Sequence, residues 1–161
     1  MNKSKKRIAV FTLIAVCIVI VAVVLSLSGT FGRIRLSLAE SGEVCDGILP
    51  GDEIEHITEI PDGEIRYLIN KKVRFENPYS TGNFMFENPQ VCDYDIVFVV
   101  YDSDGEEIYK SPMIKPGQYL EEDKLSAVVK SGTYDCSYSA EAYSAGEFIG
   151  EINGVITITV G

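Results

Sequence analysis

Residues 94–110 read YDIVFVVYDSDGEEIYK. Tyr, Ile, Val and Phe fill seven of the first eight places, and β-branched and aromatic side chains suit a pleated, half-buried surface. Asp102-Ser103-Asp104-Gly105 then carries turn residues, and Glu107–Lys110 runs back. An Asp-Gly step between two such runs predicts a β-hairpin, because Gly adopts a positive φ without steric cost. Ile96, Phe98 and Val100 alternate and can fill a core, which turns Val97, Val99 and Tyr101 to the opposite face. A strand apolar on both faces is covered on both, or it presents a sticky face.

The same period-two pattern extends in both directions. Ile65–Ile69 and Lys72–Glu76 are short β-like runs, and Phe84-Met85-Phe86 lies between Gly82 and Asn88-Pro89. Pro116-Gly117 marks a turn, and Leu120–Val129 precedes a break at Ser131-Gly132. In Thr133–Tyr143, Tyr134, Cys136, Tyr138, Ala140 and Ala142 share one face; Asp135, Ser137, Ser139 and Glu141 share the other. Gly154–Val160 opposes Ile156, Ile158 and Val160 to Thr157 and Thr159. About seven strands with turns every 8–12 residues predict an all-β, two-sheet antiparallel sandwich over residues 65–161.

Upstream, Ile8–Leu27 reads IAVFTLIAVCIVIVAVVLSL, 20 residues without a charge or Pro. As a helix with ~1.5 Å rise per residue this run spans about 30 Å, the hydrocarbon thickness of a bilayer. A cleavable signal peptide is the rival reading, but its apolar region usually runs only ~7–15 residues. The expectation is therefore one transmembrane helix over residues 8–28, kept in the mature chain. Lys3, Lys5, Lys6 and Arg7 make residues 1–7 a basic tip that stays in the cytoplasm. The body is then extracytoplasmic, on the cell membrane. Residues 29–64, punctuated by Gly42, Gly47, Pro50-Gly51 and Pro61-Asp62-Gly63, read as a stalk.

Charge sharpens this division. Of 161 residues, 24 are Asp or Glu and 14 are Lys or Arg, a net charge of −10. From Leu36 onward there are 24 acids and 8 bases. Such a body is a poor match for nucleic acid, whose phosphates need Lys and Arg. A single His and the absence of a CxxC pair argue against a zinc site or a His-based relay.

Several side-chain groups invite chemistry and are read more plainly. Asp102-Ser103-Asp104-Gly105 resembles the first half of a calcium loop but supplies too few oxygens, so Asp104 and Gly105 are read as hairpin-turn residues. Glu106-Glu107 and Glu121-Glu122-Asp123 are acid clusters of the kind glycoside hydrolysis uses in pairs, without the deep cleft that chemistry needs. His56 falls in the stalk. Cys45, Cys92 and Cys136 are odd in number outside the membrane run; three free thiols are expected, a Cys45–Cys92 pair being the alternative, with Cys136 a small core residue. No catalytic residue, cofactor motif or metal-ligand spacing emerges.

Gly132-Thr133-Tyr134-Asp135-Cys136 resembles the immunoglobulin-like fold, in which a Tyr two residues before a Cys opens a strand and forms the tyrosine corner. The resemblance implies that the Tyr134 hydroxyl bonds backbone a few residues upstream. The chain lacks Trp, and Phe84–Glu87 lacks Cys, so the antibody-type central disulfide is not implied. The stretches Gly82–Asn88, Ile108–Ser111, Pro116-Gly117-Gln118 and Gly132–Cys136 are together similar to a group of short, uncharacterised, membrane-anchored proteins of Gram-positive bacteria. That resemblance implies location and fold and no activity.

The expected function is protein–protein binding or scaffolding at the cell surface, without chemistry of the chain's own. An accessory or inhibitor-like domain acting on an envelope enzyme or assembly machine is the alternative, and a small acid-using hydrolase a more distant one. The expected partner surface is an exposed patch of Val97, Val99, Tyr101 and Tyr143. Asp135 and Glu141 would rim it with acid and favour a partner with a basic face.

Overall fold

The computed structural model describes residues 42–161. The expected membrane helix and residues 29–41 of the expected stalk lie outside the described residues. Among the described residues eight strands follow one another: β1 (Val44–Asp46), β2 (Lys72–Phe75), β3 (Phe86–Asn88), β4 (Asp95–Tyr101), β5 (Glu107–Lys110), β6 (Gln118–Leu120), β7 (Gly132–Ser144) and β8 (Glu147–Val160). They form a three-stranded sheet in the order β1-β6-β3 and a five-stranded sheet in the order β2-β8-β7-β4-β5. Residues 42–161 are thus all-β with two sheets.

Aromatic side chains fill the space between the sheets. Phe98 from β4 lies 5.3 Å from Phe86 of β3 and 5.2 Å from Tyr138 of β7, ring centre to ring centre. Phe84 stacks on Tyr109 at 4.2 Å and meets Phe75 and Phe98 edge-on. Ile96, Val100, Cys136, Ala140, Ile156 and Ile158 complete this core. The alternation read in β4, β7 and the end of β8 thus selects the inward face, as side chains two apart on a strand share a face.

Four expectations about the elements are corrected. First, the pairing is not wholly antiparallel: β2 lies parallel to β8, Lys72 opposite Thr157 through Phe75 opposite Val160. Second, Ile65–Ile69 forms no ladder, only a bridge in which Leu68 and Glu87 exchange backbone hydrogen bonds of 3.1 and 3.0 Å. Third, β6 stops at Leu120, and the chain between it and β7 meets the sheets only at isolated points, among them the Asp123–Gly82 bridge and the Ser126 N–H that donates to the Ile108 carbonyl at 2.9 Å. Fourth, β8 begins at Glu147, well before Gly154, and makes a long hairpin with β7.

The stalk also needs correction from Gly42 onward, where the chain belongs to the β domain. Val44–Asp46 pairs with β6, and Val44, Ile60, Ile65 and Tyr67 pack against the core. Glu87 explains how the intervening loop is held. It sits mid-strand in β3 with Phe86 facing the core, so its side chain turns to the outer face of the smaller sheet. There its buried carboxylate accepts the Leu49 N–H at 2.8 Å, and His56 Nδ1 lies 3.0 and 3.2 Å from its two oxygens. Leu49 is itself buried. The Gly and Pro that suggested a stalk mark loop turns that wrap the sheet.

Candidate interaction surface

The outer face of the five-stranded sheet carries the side chains expected to form a patch. Register places Tyr143 opposite Asp95, Glu141 opposite Val97 and Ser139 opposite Val99. Val97, Val99, Tyr101 and Tyr143 therefore share one face, but they do not form an exposed apolar patch. Val97 is 6% and Val99 1% exposed, while Tyr101 and Tyr143 are half-buried. The reason is a polar bridge over β4. Lys110 on β5 and Glu141 on β7 flank that strand, and their charged ends approach to 3.8 Å across it. Tyr143 donates its hydroxyl to the same Glu141 carboxylate at 2.7 Å, and Ser139 donates to Glu151 at 2.9 Å. That bond to Glu141 holds the Tyr143 phenol above its usual pKa; burial, then Glu141, raises Tyr101. Glu141 thus covers apolar strand surface as well as edging it.

Exposed apolar surface lies instead at the tip of the β7–β8 hairpin. Ala145 and Gly146 form its two-residue loop, with φ of 51° and 81°. Two positive φ values in succession match the twist of the flanking strands. Beyond the loop, Phe148 and Ile149 are 56% and 53% exposed, and the Phe148 ring meets Tyr143 edge-on at 5.8 Å. Of the expected patch, Tyr143 alone borders this tip. The Ala145-Gly146 step between Tyr143 and Phe148 was the available sequence signal.

The other singled-out residues have structural places. Tyr134 donates its hydroxyl to the Lys130 carbonyl at 2.9 Å, four residues upstream, and its ring packs against the core. Tyr134→Phe should cost about 1 kcal/mol, the usual net value of one such bond, and chemical denaturation of wild type and variant measures it. Asp102 Oδ1 accepts the Asp104 and Glu106 N–H groups, and Gly105, at φ 78°, completes the turn. Asp123 is buried and accepts the Tyr109 hydroxyl at 2.9 Å, which separates it from the exposed Glu121 and Glu122. Among the described residues no cluster of three His, Cys, Asp or Glu is placed to hold a metal ion.

The thiols differ in access. Cys92 and Cys136 are buried and Cys45 half-buried, with no disulfide among the described residues. Burial, then Asp102 and Asp135, pushes the Cys136 thiol up to about 11. Thiolate is the reactive form, so iodoacetamide near neutral pH should label Cys45 first and spare Cys136 until the domain unfolds. Peptide mass mapping against time checks the order. Because folded Cys136 keeps its proton above the ordinary thiol value of 9.0, its contribution to stability is complete below pH 9 and is lost as pH rises towards about 11.

No family model, curated protein or solved structure matches this chain.

Proposed function

We propose that this chain is a membrane-anchored, extracytoplasmic binding or scaffolding module that docks a protein partner through the β7–β8 hairpin. The observation that carries the docking reading is the joint exposure of Phe148 and Ile149 at a tip stiffened by a two-residue turn. Solvated apolar side chains gain free energy when a partner covers them, and large aromatic side chains anchor interfaces. The uncharged run Ile8–Leu27 and its basic flank support the anchor and its orientation. The Tyr134–Lys130 bond, two residues before buried Cys136, supports an Ig-like form of the sandwich.

The test is site-specific photo-cross-linking of the full chain in its native membrane. A cross-linker at position 149 should give one discrete adduct, and a cross-linker replacing Tyr79, 67% exposed in another loop, should not. Phe148→Ser should lower the yield from position 149 several-fold. Equal labelling from both positions, or no adduct from position 149, overturns the reading.

A further inference from the structure

Among the described residues the lane beside β8 is only partly filled. β7 pairs with β8 along its length, whereas β2 pairs only with Thr157–Val160. Among the described residues no strand lies beside the other edge of β8 from Glu147 to Ile156. The Thr157 N–H donates to the Lys71 carbonyl at 2.9 Å and so points into this lane. Backbone polarity alternates along a strand in an antiparallel ladder. The N–H and C=O groups of Glu151, Asn153 and Val155 therefore point the same way, and among the described residues none has a backbone partner across the lane.

Side chains give the lane two distinct ends. Glu151 is exposed on the outer face, and Val155 is 74% exposed. Where β2 begins, a groove of about 450 Å³ is lined by Lys71, Lys72, Asp135, Val155, Ile156 and Thr157. Residues 42–161 hold 23 acids and only 8 bases, yet two of those bases stand at this one mouth. Neither closes an ion pair among the described residues. A second copy of the chain is a poor occupant, because edge-to-edge pairing would bring together two acidic edges, each with Glu147 and Glu151.

We propose that the β8 edge accepts the C-terminal segment of another protein as an added strand parallel to β8. This rests on the reading that the β7–β8 hairpin docks a partner, and it names the partner's form. β2 already occupies the same lane in the parallel sense. An added strand must end where β2 begins, which places its terminal carboxylate against Lys71 and Lys72. Its outward side chains are basic beside Glu151 and apolar beside Val155. Main-chain bonds supply affinity in such additions, and alternate side chains supply choice of partner.

The probe is the fluorescent heptapeptide Lys-Val-Lys-Val-Thr-Val-Val with a free C-terminus, titrated by anisotropy against the full chain in detergent micelles. With its last residue beside Val155, its third residue faces Glu151 and its even-numbered residues direct their N–H groups at β8. N-methylation of the fourth residue should weaken binding at least tenfold, and N-methylation of the fifth less than threefold. C-terminal amidation should weaken binding about fivefold or more, and Lys71→Ala with Lys72→Ala should erase that difference. Asn153→Pro removes a lane-facing N–H and should lower affinity as the fourth-residue methyl does. The methylated peptides keep the test decisive should that variant misfold.

Equal loss from both methylations, or no binding at 1 mM peptide (a concentration of roughly the weakest useful affinity), overturns strand addition. Cross-linking from position 149 that persists alongside such a result leaves hairpin docking standing. Loss of that cross-link with the methylation pattern intact overturns hairpin docking instead.

Discussion

Phe98→Ala should destabilise the β domain by about 3–5 kcal/mol, the range for removing a buried aromatic ring from a core that cannot fully collapse. Phe98 is 1% exposed and touches rings from several elements: Phe84, Phe86, Tyr109 and Tyr138. It therefore joins the smaller sheet to the larger, and its loss leaves a cavity bounded by both. At roughly 3–6 °C per kcal/mol for a domain of this size, the melting temperature should fall by about 10–30 °C. Calorimetry of the full chain in detergent measures it. Phe148→Ala at the exposed tip is the control and should move stability by about 0.5 kcal/mol or less. Equal effects at the two positions would contradict the placement of the core.

Glu87→Ala should cost about 3 kcal/mol, by a different mechanism. The change leaves the Leu49 N–H without its acceptor and removes the group that His56 addresses. An orphaned buried donor alone costs about 1–3 kcal/mol. The lost side-chain volume adds to this, since Glu87 is 1% exposed. Removing the other partner, as in His56→Ala, leaves a buried carboxylate held by the Leu49 N–H, and that too is destabilising. The double variant should cost less than the sum of the two single changes, because the second removes a contact the first has already broken. Native-state hydrogen exchange supplies the local readout: the Leu49 amide should lose protection in Glu87→Ala while those of β4 and β7 keep theirs. An unchanged Leu49 amide would show that the loop is held by something else.

Alternation along the chain made legible the all-β class of the domain, most strand positions and the inward faces of β4, β7 and the end of β8. Each of these follows from a period-two pattern carried by local residues, Ile96-Phe98-Val100 and Cys136-Tyr138-Ala140 being the clearest. Local turn chemistry was equally legible at Asp102–Gly105, because an Asx-type turn needs only its own four or five residues. The long-range features were not. Whether Val97 and Val99 meet solvent depends on Lys110 and Glu141, which come from strands on either side and meet only once the sheet is built. Glu87 in a strand reads as a solvent-facing acid until Leu49 and His56 are folded over it from more than 30 residues away. The parallel pairing of β2 with β8 depends on how the intervening chain crosses between sheets. The stretch of β8 edge that no described strand covers depends on that pairing stopping at Thr157. Alternation fixes which side of a strand a residue faces. What covers that side, and which strands pair edge to edge, are decided by contacts between segments far apart in the chain.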